Sequence, residues 1–389
     1  MTTQRWRRRA YGVALLAAAT FVFAACADNS EHEQNGLEPH GPVARKQLDL
    51  LTPWVVVAAV IGIAVVSATV FFALKYRERP GNENPKQIHG HSGLEITWTI
   101  IPAVIMVAMA VPTVSLIWEL DKKPADALEV TVYGKQWWWE YQYTNLDTVS
   151  ADIDYQVNTA NELHIPAGRP VYLTLRSTNV IHSFWVPSLA GKKDVTPGRD
   201  NHMWLEADPE EAGKVFYGQC AEYCGLSHAD MRLRVVVDSP EDFAAWVESQ
   251  HEVWSEERVA QAADLGITTT WGCTACHYLG GVDPAVDTDI TDTDAKTGEN
   301  ARFGPNLTHL ADRSSFAGAK YDLYDENGNP DVDALTNWIW HAPERKPAQC
   351  NKPVAASGTR CVGMPNFEKS GMTQADAAAI ARFLLELDQ

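Results

Sequence analysis

The side chains best suited to chemistry lie in one short loop and form a set of soft metal ligands. Two thiols, one imidazole and one thioether fall within twelve residues, and a second imidazole lies upstream: Cys220, Cys224, His228, Met231 and His182. Sulfur and imidazole ligands suit copper better than Mg²⁺ or Ca²⁺, and a thioether is a poor ligand for zinc. Paired cysteines outside the cell usually form a disulfide, which is the alternative for Cys220 and Cys224 taken alone. With His and Met at these offsets, the loop predicts a copper site.

A second motif, Cys273-Thr274-Ala275-Cys276-His277, has the C-x-x-C-H spacing of a c-type haem site. In such a site two thioethers attach the haem covalently and the imidazole binds the iron. A thioredoxin-like redox pair and half of a zinc site are the alternatives. Neither requires the following His, and no second cysteine pair with zinc spacing occurs in the sequence.

The second axial ligand of such a haem is expected in the last part of the chain, where two methionines remain. Met364 lies in a Gly-Met-Pro-Asn-Phe loop before the last predicted helix and is the favoured ligand. Met372 falls at the start of that helix, where a packing role is expected. His309 and His341 are expected to be surface residues.

Both motifs need a folded scaffold, and the pattern of the chain changes around them. Over residues 128–237, short alternating apolar runs are broken by Gly and Pro, which predicts the strands of a β-sandwich or barrel. After a short helix and a polar linker, the cap Thr373–Asp376 begins a helix with an apolar stripe. We therefore place an all-β copper domain at residues 126–250 and an all-α haem domain at residues 258–389.

Two apolar segments, at about residues 51–75 and 96–118, are each long enough to span a hydrocarbon core of about 30 Å. The loop between them is richer in Lys and Arg than the outer flanks, so the positive-inside rule places that loop in the cytoplasm. The prediction is a transmembrane hairpin within residues 26–125. The protein would be a multi-pass protein of the bacterial cell membrane, with the copper and haem domains on the extracytoplasmic side.

The charge of the chain limits the choice of partner. The formal charge is −18, from 32 basic and 50 acidic residues, which argues against nucleic acid and fits attraction of a basic protein. Acidic residues are concentrated at 283–299. A solvated loop is one interpretation of this segment, and steering of a donor protein is the other.

The copper loop resembles, position by position, the dinuclear copper (CuA) motif of the cytochrome c oxidase subunit II family. The resemblance implies that two bridging thiolates and two terminal imidazoles hold the copper pair: Cys220, Cys224, His182 and His228. It also implies that Met231 is a weak ligand of one copper and that the backbone carbonyl of Glu222 is a ligand of the other. The Glu222 side chain would reach a Mg²⁺ shared with subunit I.

Two further segments resemble the same family. In the run Trp137-Trp138-Trp139, the first Trp corresponds to the residue at which electrons enter from cytochrome c, and Trp138 stands where the family usually has Tyr. Packing of these rings in the core is the alternative. Glu95, at the start of the second span, matches a Glu at the mouth of a proton channel of subunit I. A surface carboxylate that reaches the interface is the alternative there.

The C-terminal region resembles class I cytochromes c. This resemblance implies that Met364 is the axial ligand and that the Pro305 carbonyl accepts the N–H of the proximal His277. Cys350 and Cys361 bracket an insertion before Met364. In an oxidising compartment, a disulfide that stiffens this loop is expected.

The order of the segments is similar to that of oxidases with a fused haem c. It implies a relay from a donor, either cytochrome c or a cytochrome bc complex, through haem c and the copper pair to subunit I. There O₂ is reduced to water with proton translocation. The enzyme is then the complex with subunit I and other oxidase subunits, since this chain contains no O₂-reducing centre.

Three other classes share part of this pattern. A quinol oxidase subunit II has the hairpin and the β-domain without the copper ligands. A Sco-type copper chaperone uses C-x₃-C with a distant His, but it lacks the hairpin, the haem and counterparts of His228 and Met231. A copper-containing nitric oxide reductase subunit would share much of the electron path. A haem a-type subunit I and cyanide-sensitive O₂ uptake distinguish the oxidase from it.

The first 25 residues have a basic start and a short apolar stretch that ends in Phe23-Ala24-Ala25-Cys26. This pattern predicts a lipoprotein signal peptide at residues 1–25 that is cleaved before Cys26. An ordinary signal peptide that contains a Cys is the alternative.

The lipoprotein prediction is tested by the intact mass of the purified mature chain. We expect a chain that begins at Cys26 and carries lipid on that residue, because the small residues before it fit a lipoprotein cleavage site. An unmodified Cys26 would exclude lipidation.

Overall fold

The computed structural model describes residues 34–77, 89–150, 153, 155–280, 304–348 and 363–387. The predicted lipidation at Cys26, the predicted disulfide between Cys350 and Cys361 and the acidic segment 283–299 lie outside these residues. The described chain forms two long apolar helices, a β-sandwich and a mainly helical C-terminal part.

Two long apolar helices precede the rest of the fold: α1, Pro42–Lys75, and α2, Ser92–Leu120. At about 1.5 Å per residue, both are longer than a hydrocarbon core is thick. Their apolar side chains face outward, as at Ile63 and Val111, which are 67% and 68% exposed. Exposed apolar surface of this extent is unfavourable in water, so the two helices form the predicted membrane hairpin.

Helix α1 joins this hairpin to the folded domain that follows. It begins at Pro42, well before the predicted span, and a Pro in the first turn is already set to the helical φ angle. Val43 and Ala44 are each 3% exposed, and the Ala44 amide donates to the Leu189 carbonyl at 3.2 Å. The first turn of the helix is therefore part of the domain core.

That domain consists of two five-stranded sheets with the orders β3-β2-β1-β5-β8 and β4-β10-β9-β6-β7. The strands are β1 Leu128–Lys135, β2 Trp138–Tyr143, β3 Val157–Ala160, β4 Glu162–Pro166, β5 Val171–Ser177, β6 His182–Trp185, β7 Lys193–Val195, β8 Asn201–Leu205, β9 Val215–Cys220 and β10 Arg232–Asp238. Strand β1 pairs antiparallel with β2 and parallel with β5. Strand β10 pairs parallel with β4 and antiparallel with β9. This arrangement is a cupredoxin-like β-sandwich, as the alternating runs predict.

Alternate residues of the strands form the core of the sandwich. Leu128 and Leu173 are fully buried, and Val130 is 1% exposed. Helix α3, Pro240–Ser249, closes the domain and buries Phe243 in the same core. The short helix expected after the last strand is thus present.

The C-terminal part contains the helices α4 Glu256–Asp264, α5 Val332–Arg345 and α6 Gln374–Leu384, and a hairpin of β11 Ser315–Phe316 and β12 Tyr321–Asp322. Leu335, Ile339 and Ile380 lie in a core that is separate from that of the sandwich. The predicted cap of α6 is present, since the Thr373 and Asp376 side chains each accept a hydrogen bond from the other residue's backbone amide. The sequence pattern does not predict the hairpin, which departs from an all-α arrangement.

Candidate metal centre

Two neighbouring strands of the second sheet bring the predicted copper ligands together. His182 begins β6, Cys220 ends β9, and these strands are hydrogen-bonded to each other. The loop after β9 is tied back at once: the Cys220 amide donates to the Met231 carbonyl and the Ala221 amide to the Ser183 carbonyl, both at 2.9 Å. The sandwich therefore fixes both ends of the loop that carries the remaining ligands.

The sulfur and nitrogen atoms of these side chains form one cluster. Cys220 Sγ lies 3.8 Å from Cys224 Sγ and 3.9 Å from His182 Nδ1. Cys224 Sγ lies 3.7 Å from His228 Nδ1 and 3.8 Å from Met231 Sδ. Both cysteines are buried and are not bonded to each other. The arrangement fits metal binding. Cys220 and Cys224 do not form the disulfide that is the alternative for this pair.

Glu222 presents its backbone and its side chain to different surroundings. Its carbonyl oxygen lies 3.2 Å from Cys220 Sγ, beside the cluster. Its side chain is exposed, and Oε1 accepts a hydrogen bond from the Tyr223 amide at 3.1 Å. The carboxylate is thus at the protein surface, where another subunit can reach it.

The two thiols of the cluster titrate as a pair. The hydrogen bond that they share lowers the pKa of Cys220 well below its ordinary value and raises the pKa of Cys224 well above it. The thiolate is the form that binds metal, so a soft cation must displace the remaining proton. This coupling favours a single proton on the metal-free pair.

The imidazole of His182 is held from two sides. Its Nε2 lies 3.2 Å from Asn179 Oδ1, which leaves Nδ1 facing the Cys220 sulfur. The ring also packs edge-on against Trp139, with centroids 5.9 Å apart. On the other side there is little room, since a Cβ on Gly134 would lie 2.8 Å from His182 Cδ2. Such supports set the orientation of a metal ligand.

Trp137 lies directly beside the copper loop and is covered by the C-terminal part. Its indole Nε1 donates to the Cys224 carbonyl at 3.1 Å, as does Gln136 Nε2 at 2.7 Å. Lys346 Nζ donates to the Trp137 carbonyl at 2.6 Å. Trp137 is only 4% exposed, so a soluble protein cannot dock on its ring in this structure.

The C-x-x-C-H motif lies at the edge of the C-terminal core. Cys273 and Cys276 are unbonded and partly exposed. His277 Nδ1 lies 2.8 Å from the carbonyl oxygen of Pro305, the predicted partner, so Nε2 is the nitrogen that can bind iron. A Cβ on Gly304 would come within 2.5 Å of His277 Cε1, which leaves room only for glycine. These residues fit a covalently attached haem.

Burial sets the protonation of this motif. It lowers the pKa of His277 and raises the pKa of Cys273 to about 11. The pKa of the Cys276 thiol is raised for the same reason. The imidazole is therefore neutral near neutral pH, which is the form that binds iron.

The candidates for the second axial position differ in their surroundings. Met364 is partly buried and packs on the same core cluster as Cys273, whereas Met372 is 2% exposed and belongs to the core itself. Each of the two histidines faces a carboxylate, and their side chains are 15% exposed for His309 and 18% exposed for His341. Both are thus partly buried at the surface, beside acidic side chains.

Glu95 lies apart from the cluster, in the first turn of α2. Its side chain is exposed, and its backbone carbonyl accepts a hydrogen bond from the Thr99 hydroxyl at 2.8 Å.

Three charged side chains that the sequence does not single out are buried where the sandwich meets the C-terminal part. Glu162, Arg234 and Lys346 are 2%, 8% and 6% exposed. Burial lowers the pKa of Lys346 to about 7. Charged residues are almost always exposed unless they are paired. The local sequence around these three residues therefore does not predict their burial.

The fold and the donor set define a membrane-anchored, cupredoxin-like protein with a copper-binding loop. The family model for the periplasmic domain of cytochrome c oxidase subunit II matches residues 128–239. The model for the transmembrane domain of the same subunit matches residues 34–116.

Individual relatives agree with these matches. Cytochrome c oxidase subunit 2 of Alkalihalophilus pseudofirmus is 35% identical over 319 residues, which is 79% of this chain and 82% of the relative. That of Bacillus subtilis is 33% identical over 300 residues, 73% of this chain and 78% of the relative. Quinol oxidase subunit 2 of Bacillus spizizenii is 33% identical over 245 residues, 60% of this chain and 70% of the relative. This chain belongs to the cytochrome c oxidase subunit II family.

Family membership fixes the broad function. The chain is a subunit of a membrane-bound oxidoreductase complex and acts together with subunit I. The periplasmic domain of this family implies a CuA copper centre. The cluster at His182, Cys220 and Cys224 is a candidate metal site.

A Gly134→Ala substitution tests the placement of His182. The added Cβ would lie 2.8 Å from His182 Cδ2 and must displace the ring, so we expect copper affinity to fall about 10-fold or more, as when a ligand loses its support. Gly36→Ala is the control, because its Cβ would meet Pro187 at an ordinary 3.6 Å. Copper content and absorption spectra measure the effect. An unchanged spectrum and affinity in Gly134→Ala would contradict a ligand role for His182.

Proposed function

We propose that this chain is the electron-accepting subunit of a copper-containing terminal oxidase. Electrons would pass from a covalent haem c to a dinuclear copper centre and then to subunit I, where O₂ is reduced to water with proton translocation. The observation that carries the proposal is the pair of unbonded sulfurs, 3.8 Å apart, with one imidazole facing each of them. Two thiols with an imidazole beside each can hold a pair of copper ions, as the resemblance to the CuA motif implies.

The roles of the copper ligands follow from their placement. Cys220 and Cys224 would hold both copper ions, while His182 and His228 would bind one ion each, since the two imidazoles face different sulfurs. The Met231 thioether and the Glu222 carbonyl complete the set: a Met sulfur 3.8 Å from Cys224 Sγ and a carbonyl oxygen 3.2 Å from Cys220 Sγ. When bound, the copper pair supplies one-electron exchange with little rearrangement of its ligands.

A c-type haem would be held by the C-terminal domain. Cys273 and Cys276 supply the thioethers and His277 the proximal ligand, with the Pro305 carbonyl orienting the ring. Met364 is the proposed second axial ligand, because it packs on the same cluster as Cys273. When bound, the haem supplies one-electron exchange, and an axial Met raises its reduction potential.

Trp137 is proposed as the contact between the two centres. Its indole donates a hydrogen bond to the backbone carbonyl of Cys224. Its own carbonyl accepts a hydrogen bond from Lys346 of the C-terminal domain. A soluble donor would therefore dock on the C-terminal domain rather than on Trp137. Cytochrome c or a cytochrome bc complex is the proposed donor, and the formal charge of −18 favours a basic one.

The proposal also covers the domain limits, the side of the membrane and two carboxylates outside the copper cluster. Residues 126–250 form the copper domain and 258–389 the haem domain, both on the extracytoplasmic side, after a lipoprotein signal at residues 1–25. The exposed Glu222 carboxylate would share a Mg²⁺ with subunit I. Glu95 would lie at the mouth of a proton channel of that subunit. A quinol oxidase role is disfavoured because all the copper-ligand side chains are present.

Metal and haem analysis of the complete chain tests the proposal. We expect one copper pair for each covalent haem. Cys220→Ser should remove the copper and keep the haem, because it takes away a bridging sulfur. Cys273→Ala should weaken covalent haem attachment and keep the copper spectrum. A copper-supplied chain that contains a Cys220–Cys224 disulfide and no copper would contradict the proposal.

A further inference from the structure

The β11–β12 hairpin of the C-terminal domain contacts the copper domain directly. Its turn residues Ala317, Gly318 and Ala319 all have positive φ angles, of 56°, 76° and 53°. The Gly318 carbonyl accepts a hydrogen bond from the Arg232 amide at 3.0 Å. Arg232 follows Met231 directly, so the turn is bonded to the backbone next to a proposed copper ligand.

The approach at Gly318 is too close for a side chain. A Cβ there would collide with Lys346 Nζ, and it would lie 2.9 Å from the Trp137 carbonyl oxygen and 3.0 Å from the Asp230 carbonyl oxygen. The two carbonyl oxygens are backbone atoms and cannot move aside as a flexible side chain can. Glycine is thus required by the contact between domains, and the positive φ angle favours it as well.

Lys346 closes the same contact from helix α5. It is the residue that caps the end of the helix, and its Nζ donates to the Trp137 carbonyl at 2.6 Å and to the Ala317 carbonyl at 2.8 Å. One buried side chain therefore ties together the helix, the hairpin turn and the peptide group of Trp137. An unmet carbonyl at a buried interface is costly, so the two bonds hold these elements in one arrangement.

Polar contacts on the strands fix the rest of the hairpin. Glu162 and Arg234 are opposite each other on β4 and β10. Glu162 accepts hydrogen bonds from the Ser314 amide at 3.0 Å and from the hydroxyls of Ser314 and Ser315. Arg234 donates to the Ser314 hydroxyl at 2.8 Å and pairs with Asp322. The hairpin is thus bonded to the copper domain at its base and at its turn.

We infer that Ala317, Gly318, Ala319 and Lys346 form a docking junction that holds the C-terminal domain against Trp137, and that Lys346 is a positioning residue for electron transfer between the domains. The inference rests on the proposed function. The junction bonds to the carbonyl of Trp137, while the indole of the same residue bonds to the Cys224 carbonyl. The C-terminal domain also contacts the copper loop directly, since the Ser227 hydroxyl donates to the Pro347 carbonyl at 2.5 Å and Lys320 pairs with Asp230.

Substitution of Lys346 in the complete oxidase complex tests its role. Lys346→Met keeps most of the volume and removes the donor, and Lys346→Gln restores an N–H donor without charge. We expect Lys346→Met to slow electron transfer from haem to copper about 10-fold. Loss of a hydrogen bond to a buried group lowers the equilibrium constant for docking by a factor of this order. Lys346→Gln should recover part of this loss. Lys369→Met, at an exposed position of the same domain, is the control.

Two glycines provide a second, matched pair of variants. Gly318→Ala introduces backbone strain and a collision with Lys346 Nζ and with the carbonyl oxygens of Trp137 and Asp230. Gly328→Ala introduces similar strain, at a φ of 80°, with nothing within 4 Å of the added Cβ. We expect slower interdomain transfer and faster hydrogen–deuterium exchange of the Arg232 amide in Gly318→Ala, with neither change in Gly328→Ala.

The outcomes separate the junction from the proposed function. Slower transfer and faster exchange, with unchanged spectra of both centres, support the junction. A Lys346→Met complex with the control rate would overturn the role of Lys346, since space filling alone would then suffice. If the Lys346→Met complex does not assemble, the comparison of Gly318→Ala with Gly328→Ala tests the junction. Equal hydrogen–deuterium exchange of the Arg232 amide in these two variants would refute it. A chain without covalent haem contradicts the proposed function, while exchange at Arg232 still tests the docking.

Discussion

The structure depends on two buried thiols that lie 3.8 Å apart and are not bonded to each other. The surrounding sandwich has to keep them close together without a disulfide. Neighbouring cysteines tend to form a disulfide under oxidising conditions, whereas a metal pair needs both of them as thiolates. In the loop between β9 and β10 the two thiols stay unbonded, the loop ends are bonded to the sheet, and an imidazole faces each sulfur. A fixed loop also limits ligand movement when an electron arrives.

The same loop determines how the domains fit together. The Cys224 carbonyl is bonded to Trp137, and Trp137 is bonded to the C-terminal domain through Lys346. In the family that the sequence resembles, the matching Trp accepts electrons from a soluble protein, but here it is buried beneath a domain of the same chain. If that domain carries the proposed haem, it is a tethered donor, which acts at a high effective concentration. Reduction of the copper loop would then not depend on an encounter with a second protein at this surface.

The proposed ligand residues can be picked out from sequence because metal and haem chemistry require particular side chains at short spacing, as in Cys220–Cys224. The apolar spans and the alternating strands are local patterns too. The burial of Trp137, the early start of α1 and the β11–β12 hairpin cannot be predicted in this way. Lys346 shows why: its acceptor on Trp137 is 209 residues away along the chain, and lysine side chains are ordinarily exposed.

The central claim is that the sulfur pair holds two copper ions that share one electron. Electron paramagnetic resonance of the oxidised, copper-loaded chain measures this directly, because the hyperfine pattern counts the copper nuclei that interact with the unpaired electron. We predict splitting by two equivalent nuclei. Splitting by a single copper nucleus would contradict the account, since one ion would not need both Cys220 and Cys224 as bridging ligands.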